Sequence, residues 1–228
     1  MGLIGFNTPS TVGRELEYVQ KAITNQHIAA DGYFTNECNK YFKNEIGIKK
    51  SLLTTSCTHA LEAISCLINI KPGDEIIIPS YTFVSTANAF TSRGGKPIFI
   101  DIREDTLNMD ENILESLITK NTKAIVPVHY AGIGCEMDTI IEIAKFNDIF
   151  VIEDNAHGLF GKYKEKYLGT FGAFSAQSFH ETKNVTCGEG GALFINDSKY
   201  FERADIIFDK GTDRKKFTKG EIDKYSWV

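Results

Sequence analysis

Seven short apolar runs recur along the chain, and most are separated by an amphipathic stretch long enough for a helix. The runs fall near Leu52–Thr54, Glu75–Ile78, Pro97–Asp101, Ala124–Val128, Ile149–Glu153, Ala173–Phe179 and Ala192–Ile195. Helices fit Val12–Thr24, Thr35–Asn44, Thr58–Ile68, Thr82–Phe90, Glu111–Ile118, Asp138–Phe146 and Lys199–Phe208. Leu61, Ile64, Leu67 and Ile68 show the i, i+3, i+4 spacing of one buried helical face. Asp110 stands at the N-cap position before Ile113, Leu114 and Leu117. Alternation of this kind predicts an α/β fold, a mostly parallel seven-stranded sheet with helices on both faces.

One connection departs from the pattern. Only His180 to Gly191 separate the sixth run from the seventh, whereas a parallel crossover needs a dozen or more residues, normally with a helix. The segment is short and ends in glycines, so the seventh strand is predicted to run antiparallel to the sixth. With no repeat, low-complexity tract or linker, residues 1–228 read as one domain. At 42% hydrophobic and 24% charged the chain can bury a core, which excludes disorder. A net charge of −5 without a long basic cluster argues against nucleic acid or an anionic membrane as partner. The densest basic stretch, Asp213-Arg-Lys-Lys-Phe, reads as a solvated loop.

No run approaches the roughly 20 apolar residues of a membrane helix. Met1 to Asn7 lack the regions of a secretion signal, and Phe6 stands where a myristoylation motif wants Ser or Thr. The five cysteines form no CxxC pair and no zinc spacing with the histidines, so no metal site is expected and the thiols suit a reducing, cytoplasmic setting. Phe217, Tyr225 and Trp227 form an aromatic C-terminal segment suited to packing on something beyond it.

Three segments carry chemistry. In Leu53-Thr-Thr-Ser-Cys-Thr-His-Ala-Leu-Glu a strand gives way to a helix whose first N–H groups, around Ser56, Cys57 and Thr58, can cradle a phosphate. Plain N-capping is the alternative for that turn. In Phe150-Val-Ile-Glu-Asp-Asn-Ala-His, Asp154 lies at the carboxyl end of an apolar strand, where ligands of open α/β sheets collect, and His157 follows within a turn. An Asp cap with a satisfied His is the alternative. In Ser175-Ala-Gln-Ser-Phe-His-Glu-Thr-Lys-Asn-Val-Thr-Cys-Gly-Glu-Gly-Gly, Lys183 has small polar neighbours and glycines that let the backbone turn sharply. That setting suits a lysine held in a cleft rather than a solvated charge. Phosphate cradle, strand-end acid and cleft lysine together are what pyridoxal 5′-phosphate (PLP) requires.

With Pro79-Ser-Tyr-Thr-Phe-Val-Ser-Thr-Ala-Asn, Pro127-Val-His-Tyr-Ala-Gly, Glu153-Asp-Asn-Ala-His and Ser178-Phe-His-Glu-Thr-Lys-Asn, the chain resembles the DegT/DnrJ/EryC1/StrS sugar aminotransferases, fold-type I PLP enzymes, from Phe6 to Trp227. The resemblance implies that Lys183 joins the cofactor aldehyde and Asp154 partners the ring nitrogen. It implies that Phe83 stacks on the ring, that Cys57, Thr58 and Ser178 bind phosphate, and that His157 lies near the ring hydroxyl and His180 lines the site. An ordinary core aromatic is the alternative for Phe83. It further implies a nucleotide-linked 4-keto-6-deoxysugar substrate, glutamate as donor, a homodimer in the complete enzyme and a place in cell-surface polysaccharide biosynthesis. Cys135-Glu-Met-Asp, His180-Glu-Thr-Lys-Asn and Asp223-Lys-Tyr-Ser-Trp are similar to family members that aminate dTDP-4-keto-6-deoxyglucose.

Family members continue past Val228 into the rest of the large domain and a small C-terminal domain. Residues 1–228 are therefore expected to form an incomplete large domain, with little turnover alone. Three rivals stand beside this reading: an inactive fragment, a 3-aminotransferase, and a sugar dehydratase, whose relatives carry His where this chain has Lys183. A dinucleotide oxidoreductase fits poorly, since Gly132-Ile-Gly-Cys comes late and lacks the third glycine.

Overall fold

A computed structural model of the chain describes residues 7–228, so readings made on residues 1–6 lie outside the described residues. The strands of the main sheet are β1 (Lys50–Thr54), β2 (Glu75–Pro79), β3 (Lys96–Ile100), β4 (Thr122–Ile125), β5 (Phe150–Asp154), β8 (Phe174–Ser178) and β9 (Gly191–Ile195). A two-stranded hairpin, β6 (Lys162–Tyr163) with β7 (Lys166–Tyr167), interrupts the run between β5 and β8. The sheet order is β1-β9-β8-β5-β4-β2-β3. β9 is antiparallel to both its neighbours and every other pairing is parallel, as the short link after Phe179 demands.

The helices are α1 (Glu15–Thr24), α2 (Tyr33–Tyr41), α3 (Cys57–Leu67), α4 (Val84–Thr91), α5 (Glu111–Leu114), α6 (Met137–Phe146), α7 (Phe201–Phe208) and α8 (Arg214–Thr218). Successive strand residues point to opposite faces, so each apolar run feeds two cores. Ile76, Ile78, Ala124, Ile152, Phe174, Ala176, Leu193 and Ile195 face Leu61, Ile64 and Leu67 of α3, Phe90 of α4 and Ala204 of α7. Ile77, Ile125 and Val151 face the other way, onto Leu114, Met137, Ile140 and Ala144. Over β9 that second face is closed by Phe42, Ile46 and Ile48 packed on Ala192 and Phe194. The expected N-cap is present: Asp110 Oδ1 accepts the Asn112 N–H at 3.0 Å.

Local chemistry moves several boundaries. α1 begins at Glu15, not Val12, because Gly13 takes φ +85° and the Glu15 carboxylate accepts the Val12 and Gly13 N–H groups. α2 starts at Tyr33, and after Tyr41 the backbone widens into a π turn, Phe42–Ile46, ended by Gly47 at φ +83°. Asp213-Arg-Lys-Lys-Phe is not a loop: Arg214–Thr218 is helical, and Lys215 reaches Asp205 at 2.9 Å, on the carboxylate that also holds Lys50. The hairpin β6–β7 offers only two residues per strand, too few to show a period. Phe217 and Tyr225 pack on each other at 5.6 Å between ring centres, while Trp227 stays 79% exposed.

What fixes the middle of the sheet is a buried carboxylate. Glu153 is fully buried and accepts the backbone N–H groups of Gly169 (2.6 Å), Phe171 (2.7 Å) and Gly172 (2.8 Å). Its Oε2 also takes the Nε2–H of buried His129 at 3.0 Å, while His129 Nδ1 accepts the Cys135 N–H at 3.3 Å. β5, the segment after β4 and the turn before β8 are thereby tied at one point. Glu153→Ala leaves these donors buried without an acceptor, and should lower the unfolding free energy by about 3–5 kcal/mol in urea denaturation.

Candidate active site

β1, β2, β5 and β8 all deliver their carboxyl ends to one edge of the sheet, and the candidate site residues lie at those strand ends or in the segments that follow them. That is the edge where open α/β sheets place ligands.

After β1, Ser56 caps α3 by accepting the His59 N–H at 3.2 Å. The cap leaves the N–H groups of Cys57 and Thr58 without an intramolecular acceptor among the described residues, at the positive end of an eleven-residue helix. Both readings of this turn thus hold together: capping consumes one donor and frees two. Gly191, at the start of β9, lies so close behind that a Cβ would sit 2.4 Å from the Ser56 carbonyl carbon and 2.6 Å from the Cys57 nitrogen. Thr58 Oγ1 donates to Ser85 Oγ at 2.8 Å, joining the first turns of α3 and α4.

After β2, the chain runs through Tyr81 and Thr82 to Phe83, the extended residue preceding α4. Phe83 is 74% exposed, so it is not a core aromatic. Beside it the hydroxyls of Tyr81 and Tyr130 meet at 2.9 Å, and the Tyr130 ring lies 5.7 Å from that of His157.

After β5, the Asp154 side chain is 4% exposed and held on both oxygens: Oδ2 accepts the Thr86 hydroxyl at 2.7 Å and Oδ1 the Ala156 N–H at 3.2 Å. His157 Nδ1 accepts the Ala131 N–H at 3.2 Å, which places the proton of the neutral ring on Nε2. After β8, Ser178 is buried and its hydroxyl oxygen accepts the His180 N–H at 3.4 Å, leaving its own proton free to donate. His180 Nδ1 pairs with the Thr182 hydroxyl at 2.9 Å, and Nε2 lies 3.4 Å from Glu189.

Lys183 is half-buried in a turn closed by its N–H on the His180 carbonyl at 2.9 Å. Among the described residues no carboxylate lies within 4.0 Å of its ammonium. Its ammonium is thus not committed to a structural ion pair among the described residues. The loop around it is held by Cys187 N–H on the Phe179 carbonyl (3.0 Å) and Asn184 Nδ2 on the Leu159 carbonyl (2.8 Å).

Electrostatics shows that these segments converge. Burial pushes the Cys57 thiol well up, with the Asp154 charge adding and the Lys183 charge opposing. Burial pulls the His157 imidazole down, with Lys183 adding and Asp154 opposing. Lys183 and Asp154 therefore both act on Cys57 and on His157, although the four lie up to 126 positions apart in sequence, from 57 to 183. Sequence reading missed Thr86, which touches Asp154 directly, and the Tyr81–Tyr130 pair. The only trace of the former is a hydroxyl at i+4 from Thr82 on the buried side of a small-residue helix.

Comparison with known proteins agrees with this geometry. The model of the DegT/DnrJ/EryC1/StrS aminotransferase family matches residues 9–224. Escherichia coli O157:H7 GDP-perosamine synthase is 37% identical over 195 residues, covering 86% of this chain and 54% of the relative. The Bacillus subtilis spore coat polysaccharide biosynthesis protein SpsC is 41% identical over 168 residues, covering 74% and 43%. Among solved structures, Streptococcus pneumoniae Spr1654, described as a sugar aminotransferase and solved in its PLP form, superposes with a TM-score of 0.85 at 28% identity, covering 99% of this chain and 61% of that one. The chain spans about half the length of the curated relatives it matches.

The depressed His157 has a consequence for stability. Because its folded-state affinity for protons lies below the ordinary value of 6.5, the unfolded chain takes up the proton first as pH falls through that range. Stability should drop with acidification from neutrality, and His157→Gln should drop less between about pH 7 and 5, by paired thermal melts.

Proposed function

The chain belongs to the DegT/DnrJ/EryC1/StrS aminotransferase family, and on that footing we propose that it is the cofactor-binding part of a nucleotide-sugar aminotransferase that takes PLP. One observation carries the reading: a single edge of the sheet gathers Lys183, with no carboxylate within 4.0 Å of its ammonium among the described residues, Asp154, held on both oxygens, and a helix terminus whose Cys57 and Thr58 N–H groups have no acceptor among the described residues. The donor set fits the cofactor group by group. The Cys57 and Thr58 N–H groups and the Ser178 hydroxyl suit a phosphate dianion. Phe83 offers an exposed ring face for stacking.

When bound, PLP supplies an aldehyde that takes up amino groups and a ring that holds the electron pair of the adjacent carbon. Asp154 would keep the proton on the ring nitrogen, since an ion pair is worth roughly 4 kcal/mol at about 4 Å and an effective dielectric near 20, or up to ~3 units of proton affinity. Lys183 would hold the cofactor through its amine and would be the base that moves the proton at the substrate carbon. His157, kept neutral by burial and by Lys183, presents Nε2–H near the ring hydroxyl without adding charge. His180 lines the same edge.

The substrate class is a nucleotide-linked 4-keto-6-deoxysugar, with glutamate as amino donor and a homodimer as the complete enzyme. The motifs around Cys135, His180 and Asp223 favour dTDP-4-keto-6-deoxyglucose, converted to dTDP-4-amino-4,6-dideoxygalactose. The Escherichia coli relative carries the name of a GDP-linked product instead. Supplying the complete enzyme with glutamate and each nucleotide sugar in turn, and following the amino sugar by mass, separates the two. Lys183 also favours amination over dehydration, since the dehydratases carry His at this position.

The cofactor assignment is testable on the chain itself. Incubated with PLP and then borohydride, it should gain one reduced cofactor on the peptide holding Lys183, seen by mass spectrometry, and Lys183→Ala should gain none. Label spread evenly over surface lysines, or retained in Lys183→Ala, would show that Lys183 is not the site.

A further inference from the structure

Asp154 does not stand alone against the cofactor ring. We propose that Thr86, with Thr82 behind it, is a positioning residue that fixes which way the Asp154 carboxylate faces and couples it to the turn carrying Phe83; this deepens the PLP reading above and rests on it. A carboxylate only accepts, so at 2.7 Å the Thr86 hydroxyl must donate to Asp154 Oδ2. Its single proton is then spent, and at 2.8 Å Thr82 must be the donor to Thr86 Oγ1. The chain Thr82→Thr86→Asp154 therefore has one direction, and successive hydrogen bonds of this kind polarise one another.

Burial makes the arrangement rigid. Thr86 is fully buried, and its N–H donates to the Phe83 carbonyl at 3.0 Å, the hydrogen bond that closes the first turn of α4. The other carboxylate oxygen, Oδ1, is held by the Ala156 N–H. With one donor on each oxygen, rotation about the carboxylate bond breaks two hydrogen bonds at once. The lone pairs left over lie in a fixed direction, and a ring nitrogen has to meet them there. Phe83 immediately follows Thr82 on the same turn. The residue that stacks on the ring face and the residue that meets its edge are thus set by a single hydrogen-bonded unit, although they come from different strands. No charge is added by either threonine, so the unit orients Asp154 without weakening its pull on the ring proton.

The test separates orientation from folding. PLP and its 1-deaza analogue, in which C–H replaces the ring nitrogen, are titrated against the chain and trapped on Lys183 with borohydride, the trapped fraction being read by mass. Thr86→Val keeps the volume and removes the donor. It should weaken PLP by about tenfold while leaving the deaza analogue within about twofold of the unaltered chain. Thr86→Ser should restore the preference for PLP. If Thr86→Val melts too early to assay, Thr82→Val is read instead, with a smaller loss confined to PLP. Equal weakening of both ligands in either variant, or unchanged PLP binding in Thr86→Val, overturns the proposal while leaving the cofactor reading intact. An unaltered chain that traps no PLP on Lys183 overturns the cofactor reading, and this proposal with it.

Discussion

Everything at the working edge depends on the four hydrogen bonds accepted by Glu153. A fully buried carboxylate survives only if its lone pairs are met, and here three backbone N–H groups and one imidazole meet them. The bonds come from two different segments, so the side chain draws the turn before β8 and the stretch after β4 onto β5. The next residue on the strand points to the opposite face by the pleat alone, and that residue is Asp154. One strand-end dipeptide thus places a structural acid on one side and a chemical acid on the other. The backbone of Asp154 is held as well, through its N–H on the Pro127 carbonyl at 2.9 Å and its carbonyl on the His129 N–H at 3.1 Å.

From this anchor the electrostatics of the site follow. Asp154 is buried with one donor on each oxygen, so it acts at short range where water screens it little. Lys183 sits on a loop held by the Cys187 N–H on the Phe179 carbonyl and by Asn184 Nδ2 on the Leu159 carbonyl, and among the described residues no carboxylate lies within 4.0 Å of its ammonium. An amine without a competing carboxylate keeps its lone pair accessible once the proton leaves, whereas a paired one, such as Lys50 on Asp205, is committed to structure. Burial pushes the Cys57 thiol up and the His157 imidazole down, which favours the neutral form of each, and both feel the two charges.

The single antiparallel strand has a functional side to it. β9 returns at once along β8 because the loop between them is too short to cross over, and that same loop carries Lys183. Its return brings Gly191 against the first turn of α3, where any side chain would collide with the Ser56–Cys57 peptide. The loop holding Lys183 and the first turn of α3 are therefore set at a distance fixed by a glycine contact, not by flexible side chains.

Sequence alone determined the layered α/β class, the seven strands and the antiparallel β9, because these follow from periodicity and from the reach of a short connection. It also offered Lys183, Asp154, Cys57, Thr58, Phe83, His157, Ser178 and His180 as candidates, since each lies in a local motif or in a resemblance carried by contiguous residues. Local signals were weaker at the ends of elements: α1 is shortened by a side-chain bond from Glu15, and α8 depends on Lys215 finding Asp205, a partner ten positions away. Only the tertiary structure decided that Phe83 is exposed rather than core, that Tyr81 meets Tyr130, and that Thr86 holds Asp154 across 68 positions. Those facts depend on which helix face packs over which strand end. A threonine in a helix has the same pattern whether it faces a methyl group or a carboxylate, and nothing in the order of residues distinguishes the two until the sheet has assembled beneath it.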